Sequence, residues 1–300
     1  MRLVTEAMQG LVILNRGGGS AGDDVEQRVS EALRSAGLTA EVIALDGEEC
    51  VRRATAARDE GRPFVAAGGG DGTISAVAGV LAGSEVPLGV LPLGTLNHFA
   101  RDLGVPTELE EAVRLLGSDR RRKVDVAEVN GRVFINNSAV GLYPLMVLDR
   151  EAQQKRLGRS KKLAMLVAGA RTLARFRHHR LRLTINDAEQ ATVNTPLLFV
   201  GNNDYDLVLP QAGKRQTLDD GRLCVMVLRS QGRAGLLGAM VRALLGRTRP
   251  DDLIRLDDVT RLRVVSHRSH LAVATDGETE HLATPLDYRI RPGALTVIAP

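Results

Sequence analysis

One short stretch limits what this chain can become: Phe64-Val65-Ala66-Ala67-Gly68-Gly69-Gly70-Asp71-Gly72-Thr73, followed by Ile74-Ser75-Ala76-Val77-Ala78-Gly79-Val80. An apolar run ending in glycine reads as a buried strand. The residues beyond Thr73 carry apolar groups at helical spacing, so the stretch predicts strand, turn and helix in succession. The first N–H groups of a helix have no carbonyl one turn before them, and they sit at the positive end of the helix dipole. Glycines at Gly68, Gly69, Gly70 and Gly72 let a polyanion approach that backbone, which makes a phosphate chain the expected guest. Asp71 adds a carboxylate placed to hold a divalent cation or to fix the loop. A glycine-rich turn with no ligand is the alternative, since the pattern is neither G-x-x-x-x-G-K-S/T nor a complete G-x-G-x-x-G.

The same grammar surrounds this stretch. Gly10 to Leu14 is a short apolar strand that runs into Asn15-Arg16-Gly17-Gly18-Gly19-Ser20. Asp23 and Asp24 offer N-caps to a helix over Val25–Ala36, and Gly37 stops it. Leu38–Leu45 reads as a strand, Glu48–Glu60 as a helix, Pro63–Ala67 and Leu88–Leu91 as strands. Alternation of this kind predicts a parallel, doubly wound sheet with right-handed crossovers, whose ligands sit beyond the carboxyl ends of the strands. Pro92-Leu93-Gly94-Thr95-Leu96-Asn97-His98-Phe99-Ala100-Arg101 follows the Leu88–Leu91 strand, so a further loop with Gly, Thr and Asn reaches the same rim.

From Val124 the pattern changes. Strand candidates follow one another closely: Val124–Val129, Arg132–Asn136, Leu181–Ile185, Pro196–Val200, Leu223–Leu228, Leu262–Ser266 and Leu271–Thr275. Asn130-Gly131 is a hairpin signal. The expected fold class is therefore α/β plus all-β, with a nucleotide-binding domain over 1–123 and a β-sandwich over 124–289. Two basic stretches with apolar residues at helical spacing, Asp149–Phe176 and Arg233–Arg249, interrupt the strands. Each is open to two readings, a face for anionic headgroups or a core-facing helix with solvated arginines.

Composition narrows the partners and the compartment. Net charge is +4 and arginine far outnumbers lysine, which suits anionic lipid surfaces or phosphorylated ligands. Aromatics make up 3% with no tryptophan, so there is no base-stacking platform and nucleic acid is not expected. Cys50 and Cys224 lack metal-ligand spacing and read as incidental thiols in a reducing compartment. The first ten residues have no signal-peptide core, and no run is long enough to span a bilayer. A cytoplasmic protein is expected.

Gly68–Thr73 together with Pro92–Leu103 resembles the diacylglycerol kinase catalytic domain, and more narrowly the bacterial soluble lipid kinases. These are relatives of the sphingosine kinases and, more remotely, of NAD kinases. Phe134-Ile135-Asn136-Asn137-Ser138 with Gly141, Val200-Gly201-Asn202-Asn203, Leu218-Asp219-Asp220-Gly221 and Thr275-Asp276-Gly277-Glu278 are similar to later family segments. The resemblance covers nearly the whole length. It implies that the last strand, with residues from about 290 to 300, returns to the first domain.

It also implies a kinase that uses ATP and Mg²⁺ to phosphorylate a hydroxyl of diacylglycerol or a similar lipid, working peripherally at an anionic membrane and compatible with a homodimer. By resemblance Asn15, Thr95 and Asn97 line the nucleotide cleft with the Gly68–Thr73 cradle. Asp276 and Glu278 are the base candidates: in an extended segment they share a face, and which is the base stays open. A surface Asp-Gly hairpin turn is the alternative reading of the same residues. The family implies a structural Mg²⁺ on Asp220 and the carbonyls of Thr217 and Arg222. Without a P-loop lysine, charge neutralisation falls to Mg²⁺ and nearby basic groups. Kinases of a soluble acceptor, such as NAD or a sugar phosphate, and a catalytically silent nucleotide binder are the alternatives.

The sequence departs from the family pattern in three places. Arg16 stands where a proline is usual, and Leu96 and His98 stand where many relatives carry a small residue and an acid. Leu96 is therefore not expected to need a positive φ. Tyr205-Asp206-Leu207-Val208 lacks the usual glycine cluster, which leaves the acceptor open.

Overall fold

The computed structural model describes residues 9–16, 24–142, 178–205, 215–229 and 252–300, with isolated positions between 232 and 242. The chain forms two compact units, Met1–Val126 with Arg291–Pro300, and Ala127–Ile290. The basic stretches 149–176 and 233–249 lie outside the described residues, apart from single positions in the second.

The first unit alternates strand and helix through β1 (Gly10–Asn15), α1 (Val25–Ser35), β2 (Ala40–Leu45), α2 (Gly47–Asp59), β3 (Val65–Gly68), α3 (Asp71–Leu81) and β4 (Leu88–Leu91). α4 (His98–Leu103) and α5 (Leu109–Leu116) follow. The strands lie parallel in the order β2-β1-β3-β4. Leu11, Val12 and Ile13 of β1 and Val65, Ala66 and Ala67 of β3 are fully buried, as strands covered on both faces by helices must be. β2 starts two residues later than expected because Leu38 closes α1: with Gly37 at φ 68°, the Leu38 N–H reaches back 2.9 Å to the Leu33 carbonyl. Asp24 occupies the N-cap position, but its side chain makes no capping hydrogen bond.

The second unit is built from antiparallel strands. β5 (Arg121–Val129) leads into it and pairs with β6 (Arg132–Phe134) across Asn130 and Gly131. Both turn residues have positive φ, 49° and 82°, as the hairpin signal predicts. One sheet orders β7 (Asn137–Gly141), β10 (Leu197–Asn202), β11 (Leu223–Leu228), β12 (Leu253–Val259), β14 (His270–Thr275) and β15 (Glu278–Ala283) as β12-β11-β10-β7-β14-β15. Opposite it lie β8 (His179–Ile185), β9 (Glu189–Thr195), β13 (Arg261–Ser266) and the first part of β16 (Leu286–Ile298). Val140, Leu198 and Val225 from one sheet share a core with Leu183, Leu262 and Leu286 from the other, which makes this a β-sandwich. β16 then continues into the first unit, where Val297 pairs in parallel with Leu88.

Candidate functional site

In the first unit β1, β3 and β4 are parallel neighbours, so the segments after their carboxyl ends meet at one rim. Asn15 ends β1 and its Nδ2 donates to Thr73 Oγ1 at 2.7 Å, tying that rim to the first turn of α3. Gly70 caps α3, so the N–H groups of Gly70, Asp71 and Gly72 open the helix. The turn after β4 touches this one. A Cβ on Gly94 would stand 2.6 Å from Gly70 Cα and 3.0 Å from the Gly69 carbonyl oxygen, so only glycine permits the approach.

Asn97 and Asp71 hold the second turn. Asn97 takes the left-handed conformation at φ 49°, and Leu96, as expected, does not. Its Oδ1 accepts from the Gly94 N–H at 2.9 Å, while its Nδ2 donates to the carbonyls of Gly94 and Pro92 at 2.8 and 3.0 Å. Asp71 Oδ1 accepts from the Phe99 N–H at 3.2 Å, joining the starts of α3 and α4. Both side chains therefore shape the loops through these bonds. Thr95 and Leu96 stand exposed at the tip. His98 Nδ1 lies 2.8 Å from an Arg101 guanidinium nitrogen; since guanidinium can only donate, the ring accepts there.

The second unit carries a carboxylate in a nest of amides. Asp276 and Gly277 have φ of 49° and 89° and form the two-residue turn between β14 and β15, with Thr275 paired to Glu278. This corrects the expectation that an extended segment puts both carboxylates on one face: the chain reverses between them. Asp276 turns back onto the segment after β6. Its Oδ2 accepts from the Ile135 N–H at 2.8 Å, and its Oδ1 accepts from those of Asn136 and Asn137 at 2.8 and 3.0 Å. That is why β6 stops at Phe134, two residues earlier than the sequence suggested. Glu278 is exposed and pairs with Arg132 at 3.0 Å.

The carbonyl side of the same segment is also held. The Ile135 oxygen accepts from Arg215 Nη1 at 2.5 Å and Asn202 Nδ2 at 3.0 Å. The Asn136 oxygen accepts from Tyr205 Oη at 2.9 Å and the Asn202 N–H at 2.8 Å. Arg215 Nη2 donates to Asn136 Oδ1 at 2.9 Å, and its guanidinium carbon lies 5.5 Å from the centre of the Tyr205 ring. Arg215, Asn202 and Tyr205 are all buried. Sequence reasoning missed Arg215 as part of this arrangement. Its neighbours Lys214, Gln216 and Thr217 are polar, and nothing in that composition marks a buried cation.

The residues expected to hold Mg²⁺ lie in the loop before β11. The Asp220 N–H donates to Asn203 Oδ1 at 3.1 Å, and the Arg222 carbonyl accepts from the Asn203 N–H at 3.1 Å. The Arg222 side chain pairs with Asp204 at 2.9 Å. One carboxylate with the Thr217 and Arg222 carbonyls is a set of hard oxygen donors, which suits Mg²⁺ by type, and the second lone pair of the Arg222 carbonyl is compatible with that role. Among the described residues no group of three or more His, Cys, Asp and Glu side chains gathers as a metal site. Cys50 and Cys224 are free and buried, and burial pushes both thiols up, as structural thiols require.

Residues 9–129 match the family model of the diacylglycerol kinase catalytic domain, and residues 146–299 match that of the YegS C-terminal NAD kinase beta sandwich-like domain. This chain belongs to the YegS-like lipid kinase family. It is 33% identical to a protein of Pseudomonas aeruginosa named "Probable lipid kinase YegS-like", over 96% of this chain and 94% of that relative. A Chromohalobacter salexigens protein of the same name is 30% identical over 92% of this chain and 89% of its own. The fold is similar to the crystal structure of a diacylglycerol kinase from Bacillus anthracis, with a TM-score of 0.69 and 20% identity over 99% and 98% of the two chains. It is also similar to an NAD kinase from Archaeoglobus fulgidus in complex with ATP, with a TM-score of 0.52 and 13% identity over 97% and 93%. Within this kinase, Gly17–Gly19 and Asp206–Val208 lie outside the described residues, while no described helix is long and apolar enough to cross a membrane.

Proposed function

We propose that the protein transfers the γ-phosphoryl group of ATP, with Mg²⁺, to a hydroxyl of diacylglycerol or a chemically similar lipid at an anionic membrane surface. The observation that carries this reading is the pair of glycine turns in contact at the rim of the parallel sheet, in a member of a lipid kinase family. Phosphoryl transfer asks little covalent chemistry of a protein and much positioning. The Gly68–Thr73 turn binds the triphosphate through backbone N–H groups, with Asn15 and Thr73 fixing the rim and Thr95 at the exposed tip of the second turn. Mg²⁺ when bound neutralises phosphate oxygens, and Asp220 with its neighbouring carbonyls suits a structural ion.

Asp276 serves as the base. Three backbone N–H groups hold its carboxylate, whereas Glu278 is exposed and engaged with Arg132. The lipid hydroxyl oxygen bonds to the γ-phosphorus, the bond from that phosphorus to the bridging oxygen of ADP breaks, and the hydroxyl proton passes to Asp276.

The test is purified protein with radiolabelled ATP and a panel of lipids in vesicles, with and without Mg²⁺. A labelled phospholipid that needs Mg²⁺ and is lost in Asp276→Asn is the expected result. No product from any lipid overturns the lipid reading, and turnover of a soluble acceptor without vesicles replaces it. The fold shared with an NAD kinase makes NAD the first soluble acceptor to include.

A further inference from the structure

We infer that Arg215 is a positioning residue that acts on Asp276 through the peptide groups between them. The inference rests on the reading of Asp276 as the base. A peptide group joins the carbonyl of one residue to the N–H of the next. The Ile135 carbonyl, which accepts from Arg215 at 2.5 Å, therefore belongs to the same peptide as the Asn136 N–H, which donates to Asp276 Oδ1 at 2.8 Å. The cation sits at the negative end of that dipole and the carboxylate at its positive end. Hydrogen bonds chained in this way polarise one another, and the effect grows where the local dielectric is low. Arg215 is 7% exposed and the Asn202 side chain beside it is fully buried, so water does little to screen the cation where it meets the Ile135 carbonyl.

The next peptide repeats the arrangement with neutral donors. Tyr205 and Asn202 hold the Asn136 carbonyl while the Asn137 N–H binds the same carboxylate oxygen at 3.0 Å. Arg215 reaches this residue too, through Asn136 Oδ1. A buried guanidinium is costly to desolvate and is retained only where its donors find acceptors. Here the acceptors include the Ile135 peptide oxygen of the nest and the side-chain Oδ1 of Asn136. The Ile135 N–H, by contrast, belongs to a peptide whose carbonyl is that of Phe134, and none of the Arg215 hydrogen bonds described above reaches that oxygen. The three amides on Asp276 thus divide into one whose peptide oxygen accepts from the cation, one whose peptide oxygen accepts from neutral groups, and one whose peptide oxygen takes none of these bonds.

Arg215→Met keeps much of the volume and removes the charge. We expect it to lower kcat by about 10- to 100-fold, the usual effect of losing a partner that orients a reacting group, with KM for ATP unchanged. Arg215→Lys should recover part of the loss. In an Asp276→Asn background, Arg215→Met should cost nothing further, because the group through which it acts is already gone. A second loss as large as the first overturns the inference. If Asp276→Asn alone turns over normally, it is the assignment of the base that fails. An activity-free measurement then decides on Arg215: in ¹⁵N-labelled protein, Arg215→Met, or Arg215→Lys should the first variant not fold, is expected to move the Asn136 amide proton upfield and leave that of Ile135 in place. Equal shifts at both amides, or none at either, overturn it.

Discussion

The two units use the same material in opposite ways. In the first unit, a glycine turn leads into α3, and the proposed function gives the backbone N–H groups at its opening to an anion from outside. In the second unit, three consecutive N–H groups at residues 135–137 are given to an anion of the protein itself, Asp276. One half is a receptacle built from backbone. The other is a single side chain whose position is fixed by backbone. Under the proposed function, binding the nucleotide needs side chains to be missing, whereas the reacting carboxylate needs a side chain to be held.

The sharpest way to break this contrast is Asp276→Asn. If the held carboxylate is the base, turnover falls by about 10²- to 10⁴-fold in steady-state assays, with ATP binding by calorimetry preserved. A collapse of ATP binding instead would mean that the second half also serves as a receptacle. Gly94→Ala attacks the first half. The new Cβ must push the two turns apart, so KM for ATP should rise by about 10- to 100-fold, and overpacking should lower stability by about 1–3 kcal/mol in denaturant titrations. Unchanged nucleotide affinity would show that contact between the turns is incidental. Asn15→Ala removes one half-buried hydrogen bond to Thr73. A loss of about 1 kcal/mol of stability is expected, with a modest rise in KM for ATP. The smallest effect belongs to Glu278→Gln, where an exposed pair with Arg132 is altered: stability should stay within about 0.5 kcal/mol and kcat should hold. A fall in kcat matching that of Asp276→Asn would move the base to Glu278.

Much of the first unit was legible because its signals are local. Apolar runs ended by glycine, helices stopped by glycine, and loops rich in Gly, Thr and Asn all act within a few residues of themselves. Even so α5 was overlooked, although Leu109, Ala112, Val113 and Leu116 are buried at helical spacing. In the second unit β9, β12 and β15 carry polar residues on their solvent face, and their Glu, Asp, Thr and Gln content masks the alternation. The Asp276-Gly277 pair forms the hairpin turn that its sequence offers as the alternative to an extended arrangement. What reconciles the two is that a hairpin turn can place a carboxylate as firmly as a strand, provided a distant segment presents its amides. That condition depends on Ile135–Asn137, some 140 positions earlier in the chain, and no local pattern reports it. Arg215 was hidden for the same reason, since its partners lie on two other segments of the chain, Ile135–Asn136 and Tyr205.

The final strand has a consequence for how this molecule comes into being. Leu295, Val297, Ile298 and Ala299 are buried in the unit whose other strands precede the sandwich in the chain, and they emerge from the ribosome only after the sandwich. The early half therefore waits, its sheet one strand short, while the whole sandwich is synthesised. Such a long-range closure is slow by topology, and it leaves the edge of β4 open to chaperones or to a neighbouring nascent chain in the meantime. Deleting residues 291–300 should accordingly harm the unit to which they return across the sandwich.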